Sequence, residues 1–153
     1  MIDLGERNLI QSLSSTWIDA YKGTAETVFP GQDRDMSGCE KWNELQVPVI
    51  RELPRVNAGM RLQRVNFDVH CFVRRGSDPK VVLDEVDSVR KALGCRTWGV
   101  RDYTDEARPV IGVVRTQEVE VRDLTRLEQR VLGSELAHVL VSCRGFAQTT
   151  EFE

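Results

Sequence analysis

Residues 62–75 read Leu-Gln-Arg-Val-Asn-Phe-Asp-Val-His-Cys-Phe-Val-Arg-Arg, and no other stretch limits the possible folds as sharply. Successive side chains of an extended strand point to opposite sides, so Val65, Phe67, Val69, Cys71 and Val73 share one face. The other face carries Asn66, Asp68 and His70, with Phe72 as its only apolar member. Such a strand needs an apolar layer on one side only. The cover follows directly in sequence. Gly76-Ser77-Asp78-Pro79 is a turn that opens a helix, with Asp78 suited to cap the first free amides and Pro79 to the first helical position. Val82, Val86, Val89 and Leu93 then recur at helical spacing, and Gly94 is placed to end the helix.

The flanking chain supplies more of both element types. Asp3-Leu4-Gly5-Glu6 has the form of a capping box, and Ile10, Leu13, Trp17 and Tyr21 follow at spacings of three and four. This predicts an amphipathic helix over about residues 4–22, stopped by Gly23. A short strand is expected over residues 24–29, ended by Pro30-Gly31, and residues 32–40 read as a polar loop. Residues 42–50 form a second strand signal, in which Pro48 demands an edge position or a bulge. Thr97-Trp98-Gly99-Val100 predicts a short strand within residues 96–103, and residues 104–109 a charged turn.

Residues 110–122 are the second long strand signal: apolar on both faces at Val110–Val114, strictly alternating at Val119-Glu120-Val121-Arg122. One end should therefore lie inside the sheet and the other reach out of it. Residues 123–135 fit either a short helix through Leu124, Leu127 and Val131 or a loop. A final strand is expected over residues 136–146, with residues 148–153 frayed. With no repeat, linker or low-complexity segment, residues 1–153 read as a single α+β domain, an α/β sandwich. Its mixed or mostly antiparallel sheet of four to six strands carries the N-terminal and central helices on one face.

Composition narrows the function classes. The chain is 29% charged and 41% hydrophobic, ordinary for a globular protein, and a formal charge of -3 gives no overall attraction to nucleic acid or an anionic membrane. Arg strongly outnumbers Lys, which appears only as Lys22, Lys41, Lys80 and Lys91; Arg is the cation favoured at protein interfaces. No apolar run has the length of a signal peptide or a bilayer span. Cys39, Cys71, Cys95 and Cys143 form no CxxC pair, and three of them are expected in apolar, strand-like surroundings, which points to free thiols and synthesis in the cytoplasm.

The search for chemistry returns little. Asp68 and His70 share a strand face and could form an Asp-His pair, but Cys71 points away from them; His138 sits in an apolar strand, the usual setting of a structural histidine. Asp33-Arg34-Asp35 has no third ligand at a recognisable spacing, the cysteines and histidines make no zinc pattern, and no phosphate-binding loop occurs. No catalytic, metal or cofactor-binding residue is therefore assigned, and no cofactor is expected. The densest basic points, Arg74-Arg75 and Arg126 with Arg130, have acids close by and few aromatics for base stacking. Surfaces for partners remain: the strand end 117–122 and the Pro-containing edge 47–50.

The order of these pieces resembles a known family. An N-terminal helix leads to Val-Phe-Pro-Gly at residues 28–31 and a polar loop, then to Trp42-Asn-Glu-Leu-Gln-Val. An Arg-rich connection enters Arg64-Val-Asn-Phe-Asp-Val-His-Cys-Phe-Val-Arg; a helix from Pro79 and further strands end in Ala-His-Val-Leu-Val. In layout and size nearly the whole chain is similar to the tail terminator (tail completion) proteins of long-tailed bacteriophages, with residues 32–40 and 123–135 departing from the pattern. The resemblance implies a structural virion protein without an active site: a homo-hexameric ring that caps the tail tube protein, stops polymerisation and offers a joining surface to the head-side connector or neck protein. DNA would pass through its lumen without specific binding, and no membrane is involved. Ring contacts of this kind are head-to-tail, and Arg74, Arg75, Gln117, Glu118, Glu120 and Arg122 are the candidate interface residues. Two other readings are a different head–tail connector of the same virion and, from another class, a small α/β enzyme using Asp68 and His70.

Overall fold

The computed structural model describes residues 5–53, 62–74, 79–125 and 136–149. The elements run α1 (Glu6–Ala20), β1 (Glu26–Val28), β2 (Lys41–Glu52), β3 (Leu62–Arg74), α2 (Pro79–Leu93), β4 (Thr97–Arg101), β5 (Val110–Asp123) and β6 (Leu136–Thr149). They form a six-stranded, curled sheet in the order β1-β2-β3-β6-β5-β4, antiparallel except for the parallel β1–β2 pair. The alternating strand β3 lies inside this sheet, paired with β2 on one side and with β6 along its whole length on the other.

Its faces divide as the alternation requires. Val65, Phe67, Val69, Cys71 and Val73 are buried, whereas Asn66, Asp68, His70 and Phe72 are only partly covered. Both helices cover the buried face: Leu9, Leu13 and Trp17 of α1 and Val86, Val89, Ala92 and Leu93 of α2 join Leu45, Val100, Val114 and Val141 in one core. Fully burying a side chain the size of Phe67 or Leu93 contributes roughly 1.5–3 kcal/mol, so this layer supplies most of the driving force. The fold is thus the expected α+β layer arrangement, with an N-terminal and a central helix on one face of the sheet.

Several boundaries move for identifiable reasons. Helix α1 ends at Ala20 rather than near Gly23, because Tyr21 turns to an extended conformation and stacks on Trp17 with ring centroids 4.5 Å apart. Pro48 sits at a register shift between Gln46 and Val49, the bulge its missing N–H demands. The far end of β5 does not leave the sheet: it stays paired with β6 as far as Asp123 opposite Val139, and what it loses is the cover of β4. Gln148 and Thr149 are not frayed but belong to β6, opposite Leu62 and Gly112, because Ala147 and Thr149 are buried on the helix side. Only Cys71 and Cys143 lie buried in strands; Cys39 is half-buried in a loop and Cys95 is exposed, and all four are free thiols. Asp3, Arg75, Asp78, Arg126, Arg130 and nearly all of residues 123–135 lie outside the described residues.

Gly145 of β6 marks the tightest point of the core. A Cβ there would lie 3.1 Å from Cε2 of Phe67 and 3.4 Å from Cγ1 of Val114. Phe67 is itself held against Trp98, with ring centroids 5.4 Å apart. Gly145→Ala should therefore lower stability by about 1–3 kcal/mol in urea unfolding, the usual cost of overpacking. The extra cost should shrink markedly in a Phe67→Leu background, and a double-mutant cycle reads that coupling directly.

Candidate functional site

The sheet face turned away from the helices holds most of the polar chemistry, and strand register places each residue on it. One end is closed by the chain itself. Trp42 and Phe72 are directly opposite in the β2–β3 ladder and stack at 5.0 Å, and Val28 and Met36 join Trp42 in a small second core against Cys39 and Leu136. Arg74 secures that cover. Its Nε donates to the Cys39 carbonyl at 2.7 Å, its terminal nitrogen donates to Ser37 at 2.9 Å and Met36 at 3.2 Å, and the guanidinium lies 5.4 Å from the Trp42 ring. Arg74, a candidate for contact with a neighbour, is therefore engaged by its own chain. Arg75 lies outside the described residues.

Beside this end the two histidines meet. His70 Nδ1 lies 2.8 Å from His138 Nε2, and His138 stacks on Phe72 at 4.3 Å. Strand spacing alone treats the pair as separate; only the β3–β6 register, with Phe72 opposite His138 and Leu140 opposite His70, brings them together. No group of three or more His, Cys, Asp or Glu residues able to hold a metal ion occurs among the described residues.

Farther along the same face, the curl of the sheet forms a polar groove of about 500 Å³. Gln117, Glu118, Glu120 and Arg122 line it together with Asp68 and Arg144, so four of the six candidate interface residues share one concavity with the Asp of the candidate Asp-His pair. Acids and bases alternate around it, and Glu120 pairs with Arg122 at 3.3 Å on the exposed rim. A mixed-sign, shallow lining suits a polar protein surface better than a phosphate chain.

The sheet margins are open for a simple reason: the outermost strands are short. β1 pairs with β2 only from Trp42 to Glu44, so no described strand borders β2 beyond Glu44. There a cleft of about 440 Å³ runs between the β2 margin, Ile10 of α1 and the Phe29–Arg34 loop. β4 pairs with β5 only as far as Arg115, so no described strand borders β5 from Gln117 onward on that side. Val49 and Val121, one on each margin, are 39% and 38% exposed, unusually high for strand valines. The sequence pointed to both margins. It stopped at Ile50 and did not point to Arg51 and Glu52, which continue the β2 margin.

Behind the sheet, a buried polar cluster locks the layers. Glu85 of α2, 3% exposed, accepts a hydrogen bond from the Tyr21 hydroxyl and another from Asn43 Nδ2 at 2.7 Å. Burial first, then the hydrogen bond and charge of Glu85, push the Tyr21 phenol well above its ordinary range. Burial, assisted by Glu85, pushes the Cys71 thiol up to about 12, and burial takes Cys143 to about 11. Neither thiol is a nucleophile at neutral pH. No family model matches this chain, and no curated protein matches it in sequence.

Two outcomes follow from this geometry. Arg74→Ala should cost about 1–3 kcal/mol and, in limited proteolysis, speed tryptic cleavage after Arg34, and Arg74→Lys should not restore the loop, since an ammonium cannot reproduce the planar fork. At pH 8 a thiol reagent should label Cys95 rapidly and reach Cys71 and Cys143 only on unfolding. Because both thiols are raised in the folded state, the stability they contribute is full below the unfolded value of about 8.5 and declines as pH climbs toward about 11 and about 12. An alkaline series of urea midpoints checks that decline.

Proposed function

We propose that this protein is a structural ring component of a long-tailed bacteriophage virion, a tail terminator that caps the tail tube. The observation that carries the reading is the pair of margins on opposite sides of one sheet that no described strand borders, β2 beyond Glu44 and β5 beyond Gln117. A closed ring needs two different surfaces per subunit, each complementary to the other and facing opposite ways. A single sheet with both ends open meets that demand. The layout resemblance adds the particular assembly: a hexamer that stops tube polymerisation and receives the head-side connector or neck protein.

In this reading no residue is catalytic and no cofactor is required. DNA would cross the lumen without specific contacts, in keeping with a net charge of -3. The role of another head–tail connector rests on the same geometry and differs only in partner.

Light scattering of the purified protein should give a mass near six subunits, alone or on tube ends, and electron microscopy should show capped tubes that no longer elongate. A strict monomer that leaves growing tubes uncapped overturns the proposal.

A further inference from the structure

Each open margin carries one acid and one arginine within four residues, Arg51 and Glu52 on β2 and Glu120 and Arg122 on β5, and the two segments fit each other in one register. On the polar face, Arg51 of β2 lies directly opposite Arg64 of β3, which lies opposite Phe146 of β6, which lies opposite Arg115 of β5. Arg144 is two residues from Phe146 on the same face. Like charges directly across a ladder are destabilising, and the ion pairs Arg34–Glu26 and Arg122–Glu120 involve none of these four arginines. Arg64 Nε is buried without a hydrogen-bond partner. Diagonally across the sheet, Glu118 and Glu120 line the opposite margin. Arg51 of the β2 margin and Glu120 of the β5 margin are separated by β3 and β6 and by four residues of register, too far to meet within one subunit.

We propose that a second copy of this chain adds its β5 margin, residues 119–122, antiparallel to residues 49–52 of β2, continuing the sheet from subunit to subunit. This inference rests on the ring reading and names its joint. Side-chain faces restrict the register. Val49 and Arg51 point to the polar face and Ile50 to the core face, since they lie opposite Asn66, Arg64 and Val65. Glu120 and Arg122 point to the polar face and Val121 to the core face, since they lie opposite Ser142, Leu140 and Val141.

Matching faces leaves three registers. One sets Arg51 against Arg122, a repulsion. A second sets Val49 against Glu120 and brings Arg51 level with Glu118, inside the register shift between Thr116 and Val119, with Pro48 opposite Val121. The third sets Arg51 against Glu120, Val49 against Arg122 and Ile50 against Val121. It places Arg51 against an acid in the regularly paired part of β5, keeps Pro48 out of the joint and covers the two exposed valine positions at once. The existing Glu120–Arg122 contact is a rim pair of two exposed side chains, weak enough to yield. Pro48 limits the joint on one side, because it has no N–H to offer a neighbour.

The register also fixes a stagger. Arg51 sits level with Arg64 of β3, whereas Glu120 sits level with Ser142 and so with Asp68, four residues farther along the same strand. Each copy would be shifted along the strand direction by about 13 Å at roughly 3.3 Å per residue. A ring of such copies closes only with its strands inclined to the ring axis, as in barrels.

Full-length Val49→Cys and Arg122→Cys proteins, each in a Cys39→Ser, Cys95→Ser background, test the joint. Mixed and oxidised, the two should form a disulfide-linked dimer, neither should cross-link alone, and the double variant should give a ladder ending at the ring. Arg51→Glu should weaken association by about tenfold or more in light scattering, with Glu120→Arg in the same chain restoring most of it. Full-size assembly without the mixed cross-link and without charge rescue overturns this joint and leaves the ring reading standing. Cross-linking of Val49→Cys with itself indicates a two-fold joint and overturns it as well. Salt-sensitive binding of single-stranded DNA that is lost in Arg51→Glu, with assembly unchanged, assigns the arginines to nucleic acid and overturns it. A strict monomer overturns both the joint and the ring.

Discussion

The structure depends on β3 being paired on both sides in one register. Strand side chains have a period of two, so a slip of one residue against β6 would turn Asp68 and His70 into the helix layer and expose Val65, Phe67 and Val69. No other strand is so polarised and also neighboured along its whole length. The faces of β2, β6 and β5 follow from it through the ladders: Asn43 sits beside Cys71 in the core layer, and Glu44 beside His70 on the polar face. The helices then read that choice. Glu85 of α2 meets Asn43 of β2 and Tyr21 at the end of α1, so one carboxyl fixes how both helices lie on the sheet. Such a cluster gains little net energy, because burying a carboxyl is costly, but it penalises every other docking of α1 and α2.

The same arrangement explains why the sheet ends are open. β1 has three residues and β4 has five, while the strands they border have twelve and fourteen. α1 takes part in this economy. Its Asn8 and Ser12 accept hydrogen bonds from the backbone N–H groups of Tyr103 and Arg101, which secures the end of β4 and the turn that follows it. The helix therefore satisfies the short edge strand, Cys95 donates its N–H to the Gln117 carbonyl at 3.1 Å, and no described strand borders β5 beyond that point. Exposed edges are hazards unless they are blunted or used. Pro48 and its bulge blunt one part of β2, and the residues just beyond carry an exposed valine rather than a lysine.

Legibility in the sequence followed how local the deciding physics was. β3 and α2 could be read almost to the residue, because alternation, Pro79 and Gly94 act within a few positions. The bulge at Pro48 could be read for the same reason. The end of β6 could not: Gln148 and Thr149 look like a polar tail, and only Gly112 and Leu62 across the ladders show why they are held. Tyr21 was assigned to the helix stripe by its spacing, yet its hydroxyl is claimed by Glu85, 64 residues away. Arg74 looked like a surface cation because its loop partners are backbone carbonyls, which leave no trace in a sequence. The candidate residues 117, 118, 120 and 122 do converge on one groove, but their alternation reveals only a half-exposed strand and nothing of the neighbour it lacks.

The polar face, taken as a whole, is asymmetric in a way that a solitary subunit does not need. Its Trp42–Phe72 end is closed by a loop that Arg74 holds, so the aromatic surface there is already used. Its middle is a groove of mixed sign, and its far end gathers Arg51, Arg64, Arg115 and Arg144 around Phe146. An enzyme cleft would concentrate its titratable groups at a depth where solvent is excluded and charge interactions are strong. Among the described residues the one buried carboxyl, Glu85, lies on the opposite side of the sheet and is committed to Tyr21 and Asn43. Arg51, Arg115, Glu120 and Arg122 of the polar face lie on the margin strands, where water screens them unless another surface arrives. Placed there they contribute little to the stability of one chain and can set the rotation between two. On the ring assembly proposed above, β3 is the scaffold and the margins on either side of it are the surfaces that meet a neighbour.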